Sequence, residues 1–213
     1  MMFEHLPDYG KYKVCYADPP WAFKTFSDKG QEKAPEAHYS TMSLDDIKAM
    51  PVYDMMDKDA VLLMWVVNPL LPQAFEVITS WGFTYKTLGF SWAKQNKKSA
   101  GFFTGLGYYT RANIELCLLA TKGKPPKRKS RSVRQLCVSP LREHSRKPDE
   151  IGDRIEALFD GPYVELFART ARPGWSAWGN QVGKFTLPTD DDASADTGAD
   201  GAADPDGSDT DEG

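Results

Sequence analysis

Eight consecutive apolar residues, Ala60 to Val67 (AVLLMWVV), constrain this chain more than any other feature. The run is far short of the about 20 residues that cross a bilayer. It also has no polar face for an amphipathic helix, and a run of this kind is expected of a strand covered on both faces. Tyr12 to Ala17 (YKVCYA) is a second β-rich run, stopped by Asp18-Pro19-Pro20-Trp21. Two successive prolines cannot continue a central strand, so a strand ends and a loop begins there. Ala22 to His38, polar and holding Gly30 and Pro35, is expected to be a long loop. Ser43, with Asp46 three residues on, opens a helix carrying Leu44, Ile47 and Met50. Asn68-Pro69 supplies an N-cap and a first-turn proline for a helix through about Trp81. Further strands are expected at Lys86 to Lys94, Ile114 to Thr121 and Tyr163 to Arg169. A helix starts near Pro148-Asp149-Glu150, with Ile151, Ile155 and Leu158 on one face. Helices alternating with buried strands define an α/β sheet, and such sheets bind ligands beyond the carboxyl ends of their strands.

The formal charge of −4 over 213 residues conceals two opposed blocks. From Asp190 to Gly213 there are nine Asp and Glu212 with no Lys or Arg, which leaves 20 acids against 26 bases in the rest, a body of +6. The acidic segment has no apolar residue larger than Ala and cannot offset the entropy of ordering, so 1–188 is expected to be one domain and 189–213 a disordered tail. A tail of this kind either solubilises the protein or competes as a polyanion for the basic body. The body's densest charge is Lys122 to Arg134, seven cations in thirteen residues with Pro125 and Pro126 among them. This is a loop rather than a helix. A mobile cationic loop suits a phosphate backbone, and Lys127, Arg128 and Lys129 at its centre are the candidate contacts, on the expectation that the preceding strand ends beside the binding pocket. Cys15, Cys117 and Cys137 are scattered without C-x-x-C spacing, so neither a disulfide framework nor a cysteine zinc site is expected. With no signal-peptide-like stretch at the N-terminus, the expected location is cytoplasmic.

The tetrapeptide Asp18-Pro19-Pro20-Trp21 carries chemistry as well as a strand end. The exocyclic amine of adenine is a poor nucleophile because its lone pair is delocalised into the ring. Acceptors around that amine draw its nitrogen toward a tetrahedral, more nucleophilic state. Asp18 offers a carboxylate, and Pro19 a carbonyl in a segment poor in competing N–H donors. Trp21 offers a face on which an extruded base can stack.

In this setting the sequence resembles the MT-A70 family of S-adenosylmethionine-dependent adenine amino-methyltransferases. Beyond the tetrapeptide the likeness runs through Tyr39-Ser40-Thr41-Met42-Ser43, the Leu62 to Trp65 strand, Ser91-Trp92-Ala93-Lys94 and Glu115-Leu116-Cys117-Leu118. It continues through Arg142, Ser145-Arg146-Lys147-Pro148-Asp149-Glu150-Ile151, Glu165-Leu166-Phe167-Ala168-Arg169 and Trp178-Gly179-Asn180-Gln181. The resemblance implies a Rossmann-like methyltransferase sheet with helices on both faces and a permuted motif order, the catalytic tetrapeptide preceding the second half of the cofactor site. It implies that Asp18 bridges the target amine and the cofactor's amino group, and that Lys147 pairs with the cofactor carboxylate. Phe167 and Arg169 would flank the ribose, and Asn180 and Gln181 would bond the ribose and adenine of the cofactor. Tyr39, Trp65, Glu115, Arg142 and Ser145 match positions lining the target-adenosine pocket. Two departures stand out: Phe167-Ala168-Arg169 replaces a Phe-x-Gly-x-Gly loop, and only eleven residues precede the first strand.

The resulting expectation is an adenine N6-methyltransferase using S-adenosylmethionine, with nucleic acid as partner, DNA favoured over RNA because the compact body resembles the bacterial and phage branch. No metal is implied, since His5, His38 and His144 are dispersed, and no membrane is implied. Monomer and homodimer stay open. Two readings of another class compete: a catalytically silent partner subunit, which an intact Asp18 argues against, and a nucleic-acid-binding module whose basic loop is the whole function.

Overall fold

The apolar run forms the centre of a seven-stranded sheet in the computed structural model, which describes residues 6–8, 10–22, 41–143 and 146–187. The strands are β1 (Tyr12–Ala17), β2 (Met56–Val66), β3 (Thr84–Gln95), β4 (Ile114–Lys122), β5 (Leu136–Pro140), β6 (Tyr163–Leu166) and β7 (Trp175–Trp178), in the order β5-β3-β4-β2-β1-β6-β7. β4 is antiparallel to both of its neighbours, while the β1–β2, β1–β6, β3–β5 and β6–β7 pairs are parallel. β4 therefore runs against the other six strands. The helices are α1 (Leu44–Ala49), α2 (Val52–Met55), α3 (Leu71–Ser80) and α4 (Glu150–Leu158).

Alternation along the strands divides the core between the two faces of the sheet. Cys15, Ala17, Leu62 and Met64 pack with Ile47 of α1 and with Ala74, Val77 and Ile78 of α3. Val14, Tyr16, Val61, Leu63 and Trp65 pack with Ile151 and Ile155 of α4. Helices thus cover both faces, which is why β2 needs no polar side after Asp59. Each fully buried Leu or Met here contributes about 1.5–3 kcal/mol relative to exposure. Trp81 at the end of α3 is fully buried, and its indole N–H is spent on the Ile47 carbonyl at 2.8 Å, tying α3 to α1.

Local signals explain most boundaries. The Ser43 side chain accepts the Asp46 N–H at 3.1 Å and caps α1. Asn68 is not the expected N-cap: Asn68–Leu70 form a turn of 3-10 helix ahead of α3, without a side-chain cap. The final expected strand is shorter than its apolar pattern, ending at Leu166 because Phe167 turns to φ +63°. Strands β5 and β7 and helix α2 were not expected. Tyr39, Ser145, His5, His38, His144, the 23–38 part of the expected loop and the acidic 190–213 segment lie outside the described residues. Among the described residues, no helix is long and apolar enough to cross a membrane.

Candidate active site

Register sets the site along the edge where the parallel strands end. Ala17 of β1 lies opposite Met64 of β2 and Leu166 of β6, and Leu166 lies opposite Trp178 of β7. On the other side Val66 of β2 faces Leu116 of the reversed β4. The residues just beyond these pairs, Glu115, Asp18, Phe167 and Gly179, therefore line one edge of the sheet although they span most of the chain. The reversal of β4 is what brings Glu115, near the start of its strand, to an edge made of strand ends.

An ion-pair chain joins these residues. Lys147 Nζ donates to Asp18 Oδ2 at 2.7 Å and lies 3.2 Å from Glu115 Oε2, and Lys94 Nζ meets the other Glu115 oxygen at 2.5 Å. Lys147 also sits 5.5 Å from the Trp65 ring centroid. Burial by itself favours the neutral amine of Lys147, but the two carboxylates outweigh it and raise the pKa. Burial likewise pushes the Glu115 carboxyl up, and the charges of Lys147 and Lys94 overcome this to hold it at about 2. The expected partner of Lys147 was a cofactor carboxylate; in the structure two of its three N–H donors are engaged by Asp18 and Glu115.

Beside Asp18 opens a shallow cleft of about 610 Å³, open solvent at its mouth included, between β6, β7 and the start of α4. Asp18, Lys147, Phe167 and Arg169, residues expected to hold the cofactor, all line it, together with Glu165 and Phe185. Burial, reinforced by the negative charge of Asp18, pushes the Glu165 carboxyl up to about 7. Two features of the cleft suit S-adenosylmethionine, which has an ammonium, a carboxylate and a ribose to bind. Arg146, also in the wall, holds a buried Nε without a hydrogen-bond partner among the described residues. Phe167 keeps a left-handed backbone that only a surrounding structure can impose on a bulky residue, and such strain clusters at ligand sites. The residues present fit the cofactor.

Other expected site residues are placed differently. Trp21 is a core residue, 5% exposed, with its indole N–H donated to the Trp65 carbonyl at 3.0 Å, so it offers no open face to a base. The Pro19 carbonyl is not free of donors either, since it accepts the Trp21 N–H at 2.8 Å, and Pro20 accepts from Met42 N–H at 3.0 Å. A carbonyl has a second lone pair, so Pro19 keeps acceptor capacity. Trp65 is buried and gives its N–H to Tyr16 Oη at 2.7 Å, forming the floor under Lys147. Arg142 is a brace: it binds the Lys147 carbonyl at 2.7 Å and the Asp149 carboxylate, fixing the loop that presents Lys147. Asn180 and Gln181 follow β7 at the same edge, outside the residues that line the cleft, and Gln181 accepts from Lys184 at 3.2 Å.

The cationic loop corrects an expectation outright. Its strand, β4, does not end beside the pocket. Lys122 pairs with Ala60, next to the Val61 that faces Val14 near the start of β1, and seven steps of strand separate it from Glu115, about 24 Å at 3.4 Å per residue. Lys129 closes the carboxyl end of α4, its N–H on the Leu158 carbonyl at 2.7 Å and its ammonium on Glu156 O at 3.1 Å and Asp160 at 3.0 Å. Lys127 and Arg128 are exposed on that remote side.

Residues 12–181 match the MT-A70 family model, and the match spans every strand end that builds the site. The chain belongs to the MT-A70 family. It is 33% identical over 207 residues to the type II methyltransferase M.MunI of a Mycoplasma species, a match covering 88% of this chain and 85% of that protein. It is 31% identical over 182 residues to a Drosophila melanogaster N(6)-adenosine-methyltransferase MT-A70-like protein, covering 84% of this chain. It is 30% identical over 177 residues to the Homo sapiens N(6)-adenosine-methyltransferase catalytic subunit METTL3, covering 81% of this chain. The match spans 28% of each of these two longer MT-A70 proteins.

Proposed function

We propose that this chain methylates the N6 amine of adenine in DNA, with S-adenosylmethionine as methyl donor. The observation that carries the reading is Asp18, held by Lys147 at the carboxyl end of β1 and opening on the cleft. Several features support it further. The MT-A70 match covers the whole sheet, and the family resemblance implies that a catalytically silent subunit would lack the acidic residue that Asp18 supplies. DNA is favoured because the likeness to M.MunI extends over 85% of that protein, against 28% of the N(6)-adenosine enzymes. The strand β1 that leads into Asp18 comes first in the chain and β6, which leads into Phe167, near its end, which supports a permuted Rossmann-like arrangement.

Asp18, Lys147, Phe167 and Arg169 would hold the cofactor, which supplies an electrophilic methyl group when bound. The protein's own part is positioning and electrostatics. The second Asp18 oxygen accepts an N–H of the target amine and orients its lone pair away from the ring. Lys147 fixes the Asp18 carboxylate in place, and Glu115, pinned by Lys94, fixes Lys147. The Pro19 carbonyl, with one lone pair already taken, offers the other to the second amine hydrogen. The base must leave its stack to reach Asp18, at a cost of a few kcal/mol.

Digesting DNA and RNA from cells expressing the protein, and from cells expressing Asp18→Ala, and weighing the nucleosides tests this directly. N6-methyladenine in DNA that depends on Asp18 is expected. The modified base in RNA alone would reassign the polymer, and no modified adenine in either would end the reading.

A further inference from the structure

At the catalytic edge, the connection from β3 to β4 (residues 96–113) forms a finger whose construction is specific. Its stem is a short ladder: Phe103 N–H bonds the Lys94 carbonyl at 2.8 Å, Lys94 N–H the Asn113 carbonyl at 2.9 Å, and Gly105 N–H the Ala112 carbonyl at 2.8 Å. Its tip is closed by Gly107, where a Cβ would stand 1.8 Å from the Thr110 carbonyl oxygen, so no other residue fits the turn. Tyr108 and Tyr109 form that tip, 72% and 93% exposed, with their rings edge to face at 4.8 Å. Phe102 and Leu106, further down, are also more than half exposed. Lys97, Lys98 and Arg111 are exposed along the same connection, which contains no acid. The finger's two roots are tied to the chemistry, because Lys94 and Glu115 begin the ion-pair chain that ends at Asp18.

We infer that this finger is a base-stacking element, in which Tyr108 and Tyr109 lie against bases beside the extruded adenine while the three cations contact phosphates. The inference rests on the reading of the chain as a nucleic-acid methyltransferase and gives that reading the stacking surface which buried Trp21 cannot supply. An exposed tyrosine has only two side-chain torsions to order, and every base has a face to receive its ring. Apolar side chains such as the exposed Phe102 and Leu106 wedge between base steps and partly unstack them. Cations without acids match a polyanion.

The test uses the full chain and a fluorescein-labelled DNA duplex of mixed sequence, with and without an abasic site, read by fluorescence anisotropy. Wild-type protein is expected to prefer the abasic duplex, because the vacated stack accepts the rings. The double variant Tyr108→Ala, Tyr109→Ala is expected to bind DNA about tenfold more weakly and to lose that preference. Its circular dichroism and its S-adenosylmethionine binding by calorimetry should equal those of wild type. The double variant Tyr108→Phe, Tyr109→Phe keeps the rings and should retain both affinity and preference. Unchanged DNA affinity in the alanine variant overturns the inference. So does a variant that binds DNA normally but sediments as a smaller species than wild type, since the finger would then belong to a contact between copies. Because these readouts are of binding, wild-type protein that prefers the abasic duplex yet deposits no N6-methyladenine would overturn the reaction while upholding the finger.

Discussion

The two ends of β4 carry two loops of opposite character. Beyond Lys122 lies the densest run of cations in the chain, on the side of the sheet where parallel strands begin. Before Ile114 lies the finger, with three cations and two exposed tyrosines, on the side where they end. Charge density favours the first loop as the nucleic-acid contact, whereas position and ring exposure favour the second. What separates them is strand direction, which reverses which end of β4 meets the site. A count of charges has no meaning for catalysis until the strand that carries them has been given a direction.

That contrast breaks most sharply at Asp18. Asp18→Ala should remove methyl transfer, by at least about a hundredfold in turnover, with circular dichroism unchanged. Turnover within tenfold of wild type would take Asp18 out of the reaction. Lys147→Ala comes next, because it leaves Asp18 and Glu115 as neighbouring carboxylates with little water around them. Breaking a buried pair in this way costs about 3–5 kcal/mol, measurable as a lower midpoint in urea unfolding. An unchanged midpoint would mean that solvent already screens the pair.

The pH dependence separates the carboxylates of the catalytic edge from each other. Glu165 has a folded pKa of about 7 against an ordinary 4.5, so the folded state holds a proton that the unfolded state has lost. Stability from this group therefore falls as pH rises from about 4.5 to 7, by about 3 kcal/mol in all. Glu165→Gln should flatten that slope. Glu115, held at about 2, acts in the opposite sense: its contribution is complete above 4.5 and is lost as pH falls toward 2. Urea midpoints across this range for wild type and Glu165→Gln would show both limbs, and identical profiles would refute the role of Glu165.

The smallest effect is expected from the remote loop. Lys127→Gln with Arg128→Gln should leave turnover at saturating DNA and cofactor affinity unchanged. Only the salt dependence of DNA binding should flatten, by close to one unit of log–log slope for each phosphate contact removed. A fall in turnover would show that the two sides of the sheet act on the same stretch of DNA.

Much of the sheet was legible because burial on both faces leaves an unmistakable mark, as in residues 60–67. β5 and β7, at five and four residues and at the sheet margins, leave none. The direction of β4 was illegible for a physical reason: alternation and apolarity are the same whichever way a strand runs. Asp18 stood out by its setting at a strand end, and Lys147 was implied by the family resemblance. Their contact, between residues 129 positions apart, could not be read from any spacing. Trp21 misled because one tetrapeptide serves two purposes, and the indole anchors the turn that presents Asp18. Tyr108 and Tyr109 leave no mark in the sequence, because adjacent aromatics in a glycine-rich stretch look the same whether they are buried or exposed.

The reversal of β4 has an evolutionary corollary. A hairpin connection between two strands already zipped together can grow or shrink without disturbing the frame below it. Doubling its length costs only about 0.6 kcal/mol of closure entropy. The 96–113 connection is therefore the part of this edge that can change in length and sequence at little cost, while the ion-pair chain of Asp18, Lys147 and Glu115 stays fixed beneath it.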